Sequence, residues 1–144
     1  MTVSQVERYT SIFNRQIRHD LTQELERLGL SEANFFYLPL VAKNPGINQA
    51  YFITVFLREQ SIVTKQINKL VGEGWIEKRI SKQDRRQSEL YPTAKTLAVL
   101  PQINEITNKV SQQAMAGLTI EEQAEFERLL EKATRSYVKL VLEP

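Results

Sequence analysis

Two groups of polar and basic side chains have the types and spacing to bind a charged, hydrogen-bonding partner. In the run Ser61-Ile62-Val63-Thr64-Lys65-Gln66-Ile67-Asn68-Lys69-Leu70-Val71-Gly72, helical spacing puts Thr64, Lys65, Asn68 and Lys69 on one side and Val63, Ile67, Leu70 and Val71 on the other. Further along, Lys82, Asp84, Arg85 and Arg86 crowd into the short polar stretch Ser81–Arg86. Hydroxyl, amide and ammonium groups on one helix face suit the edges of bases in a major groove, with Lys69 placed for a phosphate. Arginines on a narrow tip suit a minor groove, where negative potential is strongest if A·T-rich sequence narrows it. Asp84 cannot attract DNA itself. The expectation is that it holds a neighbouring arginine side chain extended by a charge-assisted hydrogen bond.

The charge distribution agrees with this chemistry. Over all 144 residues the formal net charge is only +2, yet between Arg58 and Leu90 eight basic residues stand against five acidic ones. The rest of the chain is close to neutral, so the positive excess sits on the segment that carries both groups. No cysteine is present, which excludes disulfides, a thiolate zinc site and oxidant sensing through sulfur. The opening residues carry no basic-then-apolar leader. The longest nearly apolar run, Phe35 to Ala42, is too short to span a bilayer, so the expected location is the cytoplasm, with no membrane partner.

The elements that must position these groups are legible in the apolar periodicity. Val6, Tyr9, Phe13, Ile17, Leu21, Leu25 and Leu28 make one stripe of a long first helix, with Ser4 and Glu7 as a capping box and Gly29 as its stop. Ser31 reads as the cap of a second helix, stapled by Leu30 and Phe35, running through Pro39 with a kink or early stop and ending at Asn44-Pro45-Gly46. A short helix spans about Gln49 to Leu57, and the Ser61–Gly72 helix follows. Trp75–Ile80 and Gln87–Tyr91 read as two strands of a hairpin whose tip is basic. Pro92 suits the first turn of a fifth helix, striped by Leu97, Leu100, Ile103, Ile106 and Val110 and bent at Pro101. Gly117 breaks that run, Thr119 and Glu122 form another capping box, and Phe126, Leu129, Leu130, Ala133, Tyr137, Leu140 and Val141 stripe the last helix. The expected fold is mostly α with a small β-wing: a winged helix-turn-helix in the order α-α-α-α-β-β-α-α, with room for one short extra strand. It forms one domain, 1–144, with a DNA-binding lobe at 30–91 and a helical dimerisation lobe from 3–28 and 92–144.

Leu70-Val71-Gly72-Glu73-Gly74-Trp75-Ile76-Glu77-Lys78-Arg79 followed by Gln83-Asp84-Arg85-Arg86 resembles the central signature of the MarR/SlyA family of transcriptional regulators. That signature is a recognition helix ending in leucine, a glycine turn, a strand and an Asp-x-Arg wing. The resemblance implies that Arg86 is the wing contact and Asp84 its partner, and that Ser61, Thr64, Lys65 and Asn68 occupy recognition-helix positions. Two segments depart from the family pattern: Phe52-Ile53-Thr54-Val55-Phe56 before the recognition helix and Pro92-Thr93-Ala94-Lys95-Thr96 after the wing. Both keep apolar and capping character.

The long terminal stripes exceed what a small winged-helix core can cover, which implies a homodimer paired through the termini. Two recognition helices would then sit about 10 base pairs apart on a pseudo-palindromic site. The resemblance also implies a small, often phenolic anion bound between the lobes, for which Arg15, His19 and Tyr37 are the candidates. Against this, His19 reads as a solvated or interface histidine and Tyr37 as a core tyrosine with a satisfied hydroxyl. Trp75 reads as a strand anchor before a base-stacking platform. Lys78 and Arg79 suit plain solubilising charge as well as phosphate contact.

A winged helix can also serve as a protein–protein module, but such a module has no need of a basic tip and a basic helix face together. Enzymatic function finds little support. There is one histidine, no metal-ligand cluster, no phosphate-cradling glycine loop and no expected cofactor, and Glu121-Glu122 is helix-start electrostatics.

Overall fold

The computed structural model describes residues 3–138. The apolar stripe of α1 (Val3–Leu25) makes it a long helix, continued by a 3-10 turn at Glu26–Leu28 and ended by Gly29 in the left-handed region, φ 74°. Because α1 is already helical at Val3, Ser4 lies within its first turn and is not a cap ahead of it. The stripe is buried only at its C-terminal end: Leu25 is 0% exposed whereas Tyr9 is 57% exposed.

The second helix starts later than its composition suggests. Residues 31–36 form turns in which the Asn34 side chain accepts the Ser31 backbone N–H at 3.0 Å, and α2 is confined to Tyr37–Lys43. Ser31 therefore does not cap it. The late start also removes the conflict at Pro39, which falls in the first turn, where its missing N–H has no helical acceptor to lose.

Three strands follow the alternation of the hairpin and add one element. β1 (Ile47–Asn48), β2 (Ile76–Ile80) and β3 (Ser88–Pro92) form an antiparallel sheet in the order β1-β3-β2. Leu90 in the central strand pairs with both Ile47 and Lys78. Between β1 and β2 lie α3 (Ala50–Val55) and α4 (Gln60–Gly72), the two helices of the helix-turn-helix. Val63, Ile67 and Leu70 of α4 are fully buried, with Phe52, Trp75, Ile76 and Leu90 in the same core.

Pro92 ends β3, opposite Ile76, and does not open the fifth helix. That helix, α5 (Ala94–Met115), is capped by Thr93, whose side chain accepts from the Thr96 N–H, and it continues through Pro101 without ending there. Its first turn is stitched to the glycine turn. Thr96 Oγ1 donates to the Trp75 carbonyl at 2.5 Å, Thr93 Oγ1 donates to the Gly74 carbonyl at 2.6 Å and the Trp75 carbonyl at 3.2 Å, and Lys95 Nζ donates to the Glu73 carbonyl at 2.7 Å. At the other end of α5, Lys109 meets Glu24 of α1, and its hydrogen bond holds that carboxyl below the usual range.

The last helix, α6 (Ile120–Val138), opens on the expected capping box. The Glu122 carboxylate accepts the Thr119 N–H at 2.9 Å, and Thr119 Oγ1 accepts the Glu122 N–H at 3.2 Å. No residue of α6 is buried. The stripe residues Leu140 and Val141 lie outside the described residues. Among those described, no helix is long and apolar enough to cross a membrane, and no three His, Asp or Glu side chains gather as a metal site.

The Trp75 carbonyl thus accepts two hydroxyls. Thr96→Val leaves Thr93 in place and is expected to lower unfolding free energy by about 1 kcal/mol. The Thr93→Val, Thr96→Val pair should lose more than the sum of the singles in urea titrations. Strict additivity would show that the shared carbonyl does not couple them.

Candidate nucleic-acid interface

With Val63, Ile67 and Leu70 committed to the core, helical geometry turns Ser61, Lys65, Asn68 and Lys69 outward, and all four are exposed. Ser61, Thr64, Lys65 and Asn68 line one shallow depression together with Gln60, a residue the sequence reading passed over. Thr64 is half-buried at its margin, and Gln49 from just before α3 donates to its hydroxyl at 3.4 Å. The Gln49 side-chain oxygen is buried with no hydrogen-bond partner. Lys69 lies one turn beyond the depression, towards the C-terminal end of the helix.

The turn ahead of α4 is unusual. Leu57 holds φ 49°, a left-handed conformation that bulky side chains seldom adopt, and its side chain is exposed. Glu59, extended at the N-cap, contributes its carbonyl to the N–H groups of Ile62 and Val63, each at 3.1 Å, and its side chain makes no cap bond.

The hairpin tip is a tightly bonded loop. Its base is closed by the Ser81 N–H donating to the Gln87 carbonyl at 3.0 Å. Inside, Ser81 Oγ accepts the N–H groups of Gln83 and Asp84 at 3.2 and 3.4 Å, and the Asp84 carbonyl accepts the Gln87 N–H at 3.0 Å. Asn48 of β1 donates to the Gln87 side chain, tying the loop to that strand. Lys82, Arg85 and Arg86 all stand exposed on this loop, and Lys82 and Arg85 line a hollow with Ile80 and Ser81.

Asp84 does a different job from the one its charge suggests. Its carboxylate Oδ1 accepts the backbone N–H of Arg86 at 3.0 Å, and among the described residues no ion pair joins it to an arginine. The physical reason is reach: a short side chain two residues before an N–H closes an Asx turn more readily than it spans to a long, solvated guanidinium. Asp84 therefore shapes the loop that carries Arg86 and leaves that side chain free. Ser81 acts beside it. Its spacing to Asp84 was a readable turn signal that charge counting overlooked.

The flanking cations differ from one another. Arg79 makes a two-pronged pair with Glu77 at 2.9 and 3.2 Å and lies 4.1 Å over the Tyr91 ring. The Arg79 hydrogen bonds hold the Glu77 carboxyl below its usual range, and a hydrogen bond to Glu89 raises the Tyr91 phenol. Lys78 is exposed without such a pair. Trp75 is buried as a strand anchor, its indole N–H without a partner and Lys95 Nζ 3.9 Å over its ring.

The three side chains expected at an effector are not gathered on one cavity wall. Arg15 and His19 are exposed on α1, contacting Ser11 at 3.3 Å and Gln23 at 3.1 Å. Tyr37 is 1% exposed, stacked on Phe36 at 4.3 Å and tilted against Phe52 at 4.6 Å, and this burial pushes its phenol up. An apolar groove of about 720 Å³ lies between α1, α5 and α6 and is lined by Tyr9, Phe13, Met115, Phe126 and Leu130 among others. None of Arg15, His19 and Tyr37 lines it.

Comparison with known proteins agrees with this geometry. Residues 30–88 match the family model described as the MarR family. The uncharacterized HTH-type transcriptional regulator YybA of Bacillus subtilis is 26% identical over 113 residues, 78% of this chain and 75% of its own. A MarR protein from Peptoclostridium difficile superposes with a TM-score of 0.89 at 27% identity, covering 96% of this chain and 91% of that one. A MarR mutant from E. coli complexed with operator DNA superposes at 0.82 with 23% identity, covering 90% and 93%.

The Asp84 bond separates two substitutions. Asp84→Asn keeps an acceptor for the Arg86 N–H, and Asp84→Ala does not. Amide hydrogen exchange at Arg86 and Gln87 should stay near native in the first and accelerate in the second. Equal acceleration in both would mean that the charge, and not the turn, orders the loop.

Proposed function

We propose, on the premise that the chain belongs to the MarR family over its winged-helix segment, that it is a dimeric repressor of transcription that binds a pseudo-palindromic operator. The observation that carries this reading is the pairing of a polar, basic outward face on α4 with a rigid basic loop at the hairpin tip. In it, Ser61, Thr64, Lys65 and Asn68 read base edges in a major groove and Lys69 meets a phosphate. Lys82, Arg85 and Arg86 reach the neighbouring minor groove, and Asp84 sets the loop that aims Arg86. The relative from E. coli is known in complex with operator DNA, which supports the same partner here.

Dimerisation is supported by what one chain leaves uncovered. Val6, Tyr9 and Ile12 on α1, and Leu129 and Leu130 on α6, are exposed beside the apolar groove. Pairing two chains through residues 3–28 and 92–144 removes this surface from water, while the lobe at 30–91 stays free for DNA.

The reading includes a small aromatic or anionic effector that changes the spacing of the two lobes and so releases DNA. Arg15 and His19 offer it charge and hydrogen bonds. Tyr37 reaches it only if the aromatic cluster over it opens. The protein acts in the cytoplasm and catalyses no reaction in this scheme.

Titration of the purified protein against random and selected duplexes at several salt concentrations tests the reading. The expected result is tight, salt-dependent binding of two chains to one selected pseudo-palindrome, with Arg86→Ala lowering the salt slope by about one. Weak binding with no preferred site would move the winged helix to the protein–protein class. For the dimer, Leu130→Glu should shift sedimentation towards monomer and abolish tight operator binding. An unchanged dimer would put the interface elsewhere.

A further inference from the structure

The outward face of α4 contains one side chain that DNA chemistry of the polar kind does not use. Ile62 is 41% exposed, in the first turn of the helix, while the apolar residues that anchor the helix, Val63, Ile67 and Leu70, are fully buried. At 3.6 residues per turn, Ile62 shares a row with Lys65 and Lys69, three and seven positions on. It therefore lies on the flank of the recognition face opposite Thr64, beyond the depression lined by Gln60, Ser61, Thr64, Lys65 and Asn68.

An isolated exposed isoleucine is common on protein surfaces and needs no explanation by itself. Three features set this one apart. Its outward neighbours Ser61, Lys65, Asn68 and Lys69 carry hydroxyl, amide and ammonium groups, so it adds a large exposed aliphatic surface to a polar face. A β-branched residue also gains nothing in an exposed helix position from helix propensity. Its place in the first turn matters as well, because residues at the N-terminal end of a recognition helix are the ones that approach base edges.

The edges of the bases in a major groove present donors, acceptors and one apolar group, the 5-methyl of thymine. An aliphatic side chain delivered to that groove in the row of Lys65 and Lys69 has this methyl as its complementary partner. We propose that Ile62 is a specificity-determining residue that selects thymine in each half-site through contact with its 5-methyl group. The proposal rests on the operator-binding reading above and adds a base preference that polar contacts cannot supply.

Replacing each thymine of the selected duplex, one at a time, by deoxyuridine tests it, since this deletes the methyl and keeps the hydrogen-bonding edge. Wild-type protein and Ile62→Ala are titrated against every duplex. In the wild type, one symmetry-related thymine per half-site should weaken binding by roughly three- to ten-fold on losing its methyl. Ile62→Ala should bind the parent duplex weaker by a similar factor, lose the response to uracil at that position alone, and keep the parent salt slope and thermal midpoint. If Ile62→Ala retains the full wild-type uracil profile on a tightly bound duplex, the assignment of Ile62 is overturned while operator binding stands. If the wild type selects no duplex at all, the operator-binding reading falls and this inference falls with it.

Discussion

Every outward residue of α4 is set by what its other side gives up to the core. Val63, Ile67 and Leu70 are removed from water against Phe52, Trp75, Ile76 and Leu90, and a helix has no freedom to rotate without exposing them. Exposing even one would cost about 1.5–3 kcal/mol. The polar face is therefore aimed by hydrophobic burial, and the side chains that meet a partner contribute little to holding themselves in place. Such a division lets the outward residues change with the site read while the helix keeps its seat.

The same core anchors the hairpin that carries the basic loop. α4 runs through the glycine turn into Trp75 and β2, and the first turn of α5 grips that turn by four side-chain bonds to the carbonyls of Glu73, Gly74 and Trp75. β3 lies between β1 and β2, so the loop at the hairpin tip is anchored from both sides. Within it, Ser81 and Asp84 satisfy backbone N–H groups that would otherwise favour several loop shapes. The long cations of the loop, Lys82, Arg85 and Arg86, stay exposed to solvent on a base closed by these hydrogen bonds.

The terminal helices follow the opposite rule. α1 is buried where it meets α5 and bare where it extends past it, and α6 buries no residue at all. An apolar groove remains between these three helices. α1 and α5 contribute Leu21, Leu25, Ile103, Ile106 and Val110 to the core they share with the winged helix, while Tyr9, Ile12, Leu129 and Leu130 stay exposed beyond it.

Periodicity and turn chemistry carried much of this architecture in the sequence: the two faces of α4, the basic hairpin, the Thr119–Glu122 capping box and the long terminal stripes. These features depend on neighbours within about four residues, so they are written locally. Tertiary structure decided the places where two local readings competed. Ser31 reads as the opening of α2, but the turn that the Asn34 side chain closes delays the helix to Tyr37, which puts Pro39 in its first turn. Pro92 could start a helix or end a strand, and pairing with Ile76 settled it. Asp84 could face a guanidinium or a backbone N–H, and Tyr37 could line a cavity or fill a core. The pairings of Pro92 with Ile76 and of β1 with β3, and the packing of Tyr37 against Phe52, depend on groups far away in the chain whose positions only the folded packing supplies; the Asp84 and Asn34 bonds are local turns.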